Sequence, residues 1–354
     1  MKASHRHGFA LLFLLLAACT SPPVASPPDV ELREILSVGE PPIDTLLPAD
    51  DVEASEPVTR EDPPAARPVL PAARLRSDAL PETSGLAVST RDGEVLWAIN
   101  DGGNRAALHA LTRDGTALGV WPVAARNRDW EDLAAFRSGG IARLLIADTG
   151  DNRRRRDEYA LHLIDEPPAR GPGAAAGTTL EPSRTIRFRY EDGSHDVEAV
   201  GVDDAGTAWL LVKEPLDDGR PRAAGVYTLS LDATAGEDRV RIARRVATLT
   251  TPARGFVSRL GAVIAGIDLD QPTAFAFAPD GRDACLLSYR QVRCFERAED
   301  ESWREALTRR GRVLVVHGLN QAEALAISAD GYVWFTSEGR GAPLRALPLV
   351  PRGS

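Results

Sequence analysis

Short apolar runs separated by turn residues recur from residue 81 to residue 348, with lengths typical of β-strands. The run 130–134 (Trp-Glu-Asp-Leu-Ala) is followed, after a Ser-Gly-Gly turn, by 144–152 (Leu-Leu-Ile-Ala-Asp-Thr-Gly-Asp-Asn). Asp-Gly pairs, which favour tight hairpin turns, lie between other runs at 92–93, 114–115, 280–281 and 330–331. No segment shows a long helical period. The pattern therefore predicts an all-β domain over 81–348.

The same strand–turn–strand pattern occurs five times, and each copy begins at an equivalent anchor residue: Ser84, Glu131, Glu198, Thr273 and Glu323. The anchors are 47, 67, 75 and 50 residues apart. A four-stranded propeller blade takes about 40–45 residues, so the repeat predicts a β-propeller of five blades. A sixth blade could lie in the unassigned stretch 250–271. The chain just before Ser84 is expected to supply the outer strand that closes the last blade.

The N-terminal region has the composition of an export signal followed by a tether. Residues 1–18 combine basic residues, a short apolar run and small residues before Cys19, which resembles the lipidation site of bacterial lipoproteins. Residues 19–80 are rich in proline and acids, which predicts a disordered tether. We therefore expect an exported protein of a Gram-negative bacterium, held at the outer membrane by acyl chains (palmitate among them) on Cys19. Residues 349–354 resemble a thrombin cleavage site and are left out of the fold prediction.

Charge and cysteine content narrow the function further. A net charge of −9 and a pI near 5.3 argue against nucleic-acid binding, which needs a basic face. Cys285 and Cys294 would face each other across a hairpin with a two-residue loop at 289–290, a geometry compatible with a disulfide. Two buried free thiols are the alternative, and an oxidising compartment favours the disulfide.

Propeller geometry brings acidic side chains together. The start of each first strand and the end of each second strand lie on the same face of the disc, because the two strands are antiparallel. Six acids then become candidate metal ligands at this channel mouth: Glu131, Asp132, Asp148, Asp151, Glu198 and Glu323. Eight flanking residues become candidate ligand-binding residues: Asp101, Trp130, Asn152, Arg153, Arg154, Lys213, Glu214 and Glu338.

Carboxylates at such close quarters repel one another unless a cation, a base or raised pKa values relieve them. A site of carboxylates and carbonyls suits a hard divalent ion, Ca²⁺ before Mg²⁺. The alternative is structural, with the glutamates accepting hydrogen bonds from backbone amides of neighbouring blades. Tryptophans occupy equivalent positions of three second strands, at 97, 209 and 334, and are predicted to form core between blades rather than a ligand platform.

The repeats, and the segment 146–152 (Ile-Ala-Asp-Thr-Gly-Asp-Asn) in particular, resemble exported bacterial propeller proteins related to the phytase-like and gluconolactonase-like groups. The resemblance spans most of 82–348. It implies the propeller fold and a metal at the channel mouth. The anchors Ser84 and Thr273 lack the acid of the other three, so an acidic ring would be incomplete.

Three functions remain open at this point. The protein could bind a metal and a small or polymeric ligand without turnover. It could be a metal-dependent hydrolase of phosphoesters, esters or lactones, in which Glu131 or Glu198 activates water. It could also be an interaction scaffold for another protein of the cell envelope. The oxygen-rich mouth weakens the scaffold hypothesis, but fold alone does not decide between the other two.

Overall fold

The computed structural model describes residues 67–171, 173–213, 223–232, 239–249 and 269–349. The predicted signal peptide, Cys19, most of the tether, Glu214 and most of the stretch 250–271 lie outside these residues. The described chain is almost entirely β-sheet, as predicted, and its one α-helix is α1 (Trp303–Thr308). It contains no helix with the length and hydrophobicity needed to cross a membrane.

The strands follow one another as antiparallel meanders of four. The first meander contains β2 (Thr83–Val88), β3 (Val95–Asn100), β4 (Ala107–Thr112) and β5 (Ala117–Pro122). The second contains β6 (Trp130–Ser138), β7 (Ile141–Asp148), β8 (Tyr159–Asp165) and β9 (Arg184–Tyr190). The third contains β10 (Val197–Val202), β11 (Thr207–Val212), β12 (Gly225–Ser230) and β13 (Arg241–Thr248). The fourth contains β14 (Pro272–Phe277), β15 (Asp283–Ser288), β16 (Gln291–Glu296) and β17 (Arg312–Val316).

The fifth meander is completed from the other end of the described chain. It contains β18 (Ala322–Ile327), β19 (Tyr332–Ser337) and β20 (Pro343–Pro348), and the short strand β1 (Ala73–Arg74) pairs with β20 as its fourth strand. The chain before Ser84 therefore supplies the outer strand, as predicted. β1 and the buried Leu75 and Leu80 extend the folded region into residues assigned to the tether. Leu349, assigned to the C-terminal tail, is also buried.

The first strands of the meanders lie side by side in a ring, in the order β2, β6, β10, β14, β18 and back to β2. A separate hydrophobic cluster fills the space between each pair of neighbouring meanders. Trp97, Trp209 and Trp334 each lie in one of these clusters, as the sequence predicted. This radial arrangement is that of a β-propeller, in which closure protects the strand edges.

Two meanders are joined more closely than the repeat alone predicts. The outer strands β9 and β13 pair in parallel over three residues each, from Phe188 opposite Arg241 to Tyr190 opposite Ala243. The second and third meanders thus form one continuous sheet of 8 strands.

The hairpin of β15 and β16 carries the predicted disulfide between Cys285 and Cys294, which are direct cross-strand partners. The bond closes a loop with a sequence separation of 9 residues, which limits the freedom of the unfolded chain. We expect the double substitution Cys285→Ala and Cys294→Ala to lower the free energy of unfolding by about 2–3 kcal/mol. Chemical denaturation of the oxidised protein, the reduced protein and the variant measures the difference. Equal stability of all three would contradict a stabilising role.

Candidate functional site

Every inner strand carries a β-bulge at the same place, and the bulged residue is the anchor of the repeat. The pairing between first and second strands skips one residue in each meander: Ser84, Glu131, Glu198, Thr273 and Glu323. A bulged residue has no cross-strand partner, and the local kink redirects its side chain. The bulges explain why these residues leave the two packed faces of the sheet.

The residue that follows each second strand lies beside the bulge. The register shows this directly, since Val197 pairs with Val212 and Ala322 pairs with Ser337, next to the skipped glutamates. The five residues at this position are Asp101, Thr149, Lys213, Tyr289 and Glu338. Together with the bulged residues they form what we call the channel mouth. The predicted meeting of first-strand starts and second-strand ends is therefore observed.

Carboxylates from three meanders converge at the mouth in two overlapping groups. Asp101, Asp129 and Glu131 form one group, and Glu131, Asp196 and Glu198 form the other. In each group one carboxylate oxygen of every member lies within 4.8 Å of the others, close enough to hold a single metal ion. Glu131 belongs to both groups. Of the predicted metal ligands, the structure brings Glu131 and Glu198 together and adds Asp129 and Asp196.

Two of these acids were missed by the sequence analysis, although a signal existed. Asp129 and Asp196 each lie two residues before a bulged glutamate, in the matching triplets Asp-Trp-Glu and Asp-Val-Glu. The glutamate of each triplet is the bulged residue, and its carboxylate lies close to that of the preceding aspartate. A search for Asp-x-Glu at the start of a first strand would have identified them.

Glu131 and Glu198 are both buried, and one oxygen of Glu198 has no hydrogen-bond partner among the described residues. Glu131 is 8% exposed, and no described residue donates a hydrogen bond to its carboxylate. Glu198 is 6% exposed, its Oε1 contacts the Lys213 ammonium, and its Oε2 has no hydrogen-bond partner among the described residues. A buried carboxylate oxygen without a partner is costly, which favours a cation or a proton beside this oxygen.

The electrostatics agree with that requirement. Burial raises the pKa of Glu131 well above its ordinary range, and the negative charge of Glu198 raises it further. Burial also raises the pKa of Asp129 to about 6, with Asp101 and Asp196 adding to the effect. For Glu198 burial raises the pKa to about 7, although Lys213 opposes the shift. Without a cation, the folded protein holds protons here that free carboxyl groups would lose.

The raised pKa values predict an unusual pH dependence of stability. Asp129 and Glu198 stay protonated in the folded protein at a pH where the unfolded chain has released those protons. Their contribution to stability is complete below the unfolded pKa values near 4 and is lost as the pH rises through about 6 and about 7. We expect the chelator-treated protein to melt at a lower temperature at pH 8 than at pH 5. Calcium at pH 8 should restore the melting temperature. A melting temperature that rises from pH 5 to pH 8 in the absence of calcium would contradict the raised pKa values of Asp129 and Glu198.

The other side of the mouth is a hydrogen-bonded chain. Lys213 Nζ donates to the Tyr289 hydroxyl at 3.3 Å, and this hydroxyl donates to Glu323 Oε1 at 3.1 Å. Burial raises the pKa of Glu323 to about 9, and the neighbouring Glu338 adds to the shift. Glu323 and Glu338 therefore lie at the mouth as predicted, but neither belongs to the two acidic groups. Tyr289 is a further mouth residue that the sequence analysis did not select.

Asp132 has a structural position instead of the predicted metal-binding one. Its Oδ2 accepts backbone hydrogen bonds from Val200 at 2.8 Å and Phe275 at 3.1 Å, and its Oδ1 accepts one from Leu133 at 2.8 Å. Because these donors come from three inner strands, the carboxylate ties three meanders together. Asp132 therefore has the role that was considered as an alternative for the glutamates, since it accepts hydrogen bonds from backbone amides of neighbouring blades.

The remaining predicted ligands of the 148–152 segment order a loop. Asp148 forms an ion pair with Arg156 at 2.8 Å. Asp151 accepts backbone hydrogen bonds from Arg155 at 3.0 Å and Arg156 at 2.8 Å, and the Tyr159 hydroxyl also donates to it. These carboxylates are in neither acidic group, so the structure does not bring them to the candidate metal position.

The predicted ligand-binding residues divide in the same way. Asp101, Lys213 and Glu338 are at the mouth, whereas Asn152 and Arg153 are exposed on the adjoining loop. Arg154 has a φ of 48° and donates to the Lys213 carbonyl at 3.1 Å. Trp130 is 0% exposed and packs in the core between the first and second meanders, so its predicted role as a stacking platform is wrong. It pairs in register just before the bulge and therefore faces the core.

A glycine allows the acids to approach each other. A Cβ atom on Gly150 would lie 2.6 Å from Asp129 Oδ2, closer than any side chain tolerates. Its backbone amide donates to the Asp129 carbonyl at 3.2 Å. The glycine of the Asp-Thr-Gly-Asp-Asn segment is thus required by the neighbouring acids.

No protein-family model matches the chain, and a search of curated proteins finds no match. Among solved structures, the chain is similar to a gluconolactonase from Xanthomonas campestris, described as important in glucose secondary metabolic pathways. The two share 15% sequence identity with a TM-score of 0.36, and the match covers 80% of this chain and 89% of that one.

Proposed function

We propose that the channel mouth binds a divalent cation, with calcium preferred over magnesium. The ligands would be Glu131, Asp196 and Glu198, with Asp101 and Asp129 beside them. The observation that carries the proposal is that Glu198, a member of the second acidic group, has a buried Oε2 without a hydrogen-bond partner among the described residues. Carboxylate ligands of flexible geometry suit Ca²⁺ better than the strict octahedron of Mg²⁺.

The cation would serve to hold a ligand. Three carboxylates leave coordination positions of a calcium ion open, and a small molecule or polymer with oxygen donors could fill them. The ring of inner strands supports a propeller of five blades, because β10 contacts β14 directly and leaves no gap between them for the inner strand of a sixth blade. Export and a lipid anchor on Cys19 would place this mouth at the cell envelope, where the protein would encounter its ligand.

Metal-dependent hydrolysis of a phosphoester, ester or lactone is the second candidate. The observation in its favour is Glu198, which would stay free if the ion bound the first group (Asp101, Asp129 and Glu131) instead, and whose pKa burial raises to about 7. A carboxylate with a pKa near neutrality is suited to accept a proton from water. Glu131, the other candidate base, shares both acidic groups and is better placed as a metal ligand.

Calcium titration of the full chain by calorimetry, followed by thermal melting, tests the proposal. We expect saturable binding that raises the melting temperature and a loss of affinity of at least about tenfold in Glu198→Gln. Glu299→Gln is the matched control, because Glu299 is an exposed acid outside the mouth. Absence of binding at millimolar calcium would overturn the proposal, and equal loss in both variants would show a nonspecific charge effect.

A further inference from the structure

Lys213 is unusual in this chain. The sequence contains only two lysines, Lys2 and Lys213, among 42 basic residues of the lysine and arginine types. Lys213 is therefore the one lysine of the described residues, and it follows the second strand of the third meander at the channel mouth. At this position the other meanders carry Asp101, Thr149, Tyr289 and Glu338, so the third meander alone contributes a positive charge.

The ammonium group of Lys213 neutralises part of the acidic mouth. It contacts Glu198 Oε1 and lies 3.3 Å from the Tyr289 hydroxyl, with Nζ 5.6 Å from the centre of the Tyr289 ring. Glu198 is also a member of the proposed metal-binding group. One glutamate therefore has two possible cationic partners, the ammonium and a metal ion.

We propose that Lys213 is a resident cation that a divalent ion displaces from Glu198, and that the released ammonium then binds an anionic group of the ligand. This inference rests on the proposed function and specifies its ligand as a molecule with a carboxylate or phosphate group. No covalent step is involved, since one ion pair is exchanged for another.

Charge and flexibility support the exchange. A divalent ion on Glu131, Asp196 and Glu198 repels the ammonium while it attracts the carboxylates more strongly than a single positive charge does. Lysine has a compact charge on a flexible stem of four carbons, so it can move while the backbone stays in place. An arginine at this position would be planar and better held by two-point contacts, which would resist displacement.

The Tyr289 hydroxyl lies 3.3 Å from the ammonium in the structure, and the displaced ammonium would lie between this hydroxyl and the metal ion. Two adjacent positive groups together form a strong site for an anion, whereas an ammonium paired with Glu198 does not. Anion binding is therefore expected to depend on calcium. A carboxylate or phosphate oxygen could bridge the metal and the ammonium.

The scarcity of lysine allows a direct measurement. Reductive methylation with ¹³C-formaldehyde labels Lys213, Lys2 and the terminal amine, retains the charge, and gives a nuclear magnetic resonance signal for each. The signal that is absent from Lys213→Arg belongs to Lys213. We expect calcium to shift this signal and phosphate to shift it again, but only when calcium is present. A Lys213 signal that saturating calcium leaves in place would overturn the displacement.

Substitution of Lys213 separates this inference from the proposed function. Calcium affinity should rise about tenfold or more in Lys213→Met, because a competing positive charge beside Glu198 has been removed. Calcium-dependent phosphate binding, measured by calorimetry, should be lost in this variant and retained in the wild type. Lys213→Gln provides a second neutral variant if the methionine variant does not fold.

Each outcome then has one meaning. Equal calcium affinity in the wild type and in Lys213→Met leaves the metal site intact and overturns the role of Lys213. Calcium binding by Lys213→Met alone would show that Lys213 keeps the ion away from Glu198, which overturns both the displacement and the proposed function of the wild-type protein. Phosphate binding without calcium would overturn the proposal that anion binding requires the metal ion.

Discussion

Glu131→Gln is expected to abolish calcium binding, with an affinity loss of at least about a hundredfold. Glu131 is the one residue that belongs to both acidic groups, so its neutralisation weakens either position that a cation could occupy. Glutamine has nearly the same size and leaves one oxygen in place, so the change removes charge with little loss of packing. Calorimetric titration with calcium measures the effect, and Glu299→Gln again provides the control.

The same substitution should make the calcium-free protein more stable at neutral pH. Burial and the nearby Glu198 both disfavour a negative charge on Glu131, so the folded wild type must bind a proton there at a cost that a neutral glutamine avoids. The expected signature is a higher melting temperature in chelator together with a lost response to calcium. A variant that melts lower in chelator and still responds to calcium would exclude Glu131 as the shared ligand.

Asp132→Ala should have the largest effect on stability, a loss of about 3–5 kcal/mol. Its carboxylate accepts backbone hydrogen bonds from Leu133, Val200 and Phe275, and alanine would leave these three buried donors unpaired. Because the donors belong to three inner strands, the damage falls at the centre of the ring. Chemical denaturation in the presence of chelator measures the loss without a contribution from calcium.

The comparison of Asp132 with its neighbour Glu131 makes this prediction specific. Asp132→Ala should lower stability at any calcium concentration. Glu131→Gln should instead remove the response to calcium and stabilise the calcium-free protein. Asp78→Ala is a suitable control, because the Asp78 side chain is 97% exposed. A change below about 1 kcal/mol in Asp132→Ala would show that water or side chains satisfy the three donors.

The repeat could be predicted from the sequence because each copy contains a buried strand, a turn and a second buried strand. Periodic apolar residues and Asp-Gly turns are local signals, and they gave the all-β architecture and the anchors Ser84, Glu131, Glu198, Thr273 and Glu323. The cross-strand position of Cys285 and Cys294 followed from a short hairpin in the same way.

The different roles of the acids could not be predicted, because they depend on one bulged residue in each inner strand. Glu131 and Asp132 are neighbours of similar chemistry, yet the bulge directs Glu131 to the metal-binding groups and Asp132 to backbone amides of other meanders. Regular alternation, which places successive side chains on opposite faces, does not hold across a bulge. The burial of Trp130 was missed for the same reason.

Contacts between distant segments were also beyond the sequence. The parallel pairing of β9 with β13 joins strands more than 50 residues apart, and no local pattern marks it. The ion pair of Lys213 with Glu198, in contrast, lies within one hairpin, and the predicted geometry of the mouth brings these two residues together. Composition showed only that lysine is rare.

The bulge that each inner strand carries has a consequence for how such a protein can evolve. A bulged residue has no partner in the ladder, so its side chain can be exchanged without breaking the pairing of its neighbours. Five independent positions around one ring, now Ser84, Glu131, Glu198, Thr273 and Glu323, can therefore mutate one at a time while the scaffold persists. New specificities would arise by gradual replacement of single residues, repeat by repeat, rather than by remodelling of loops.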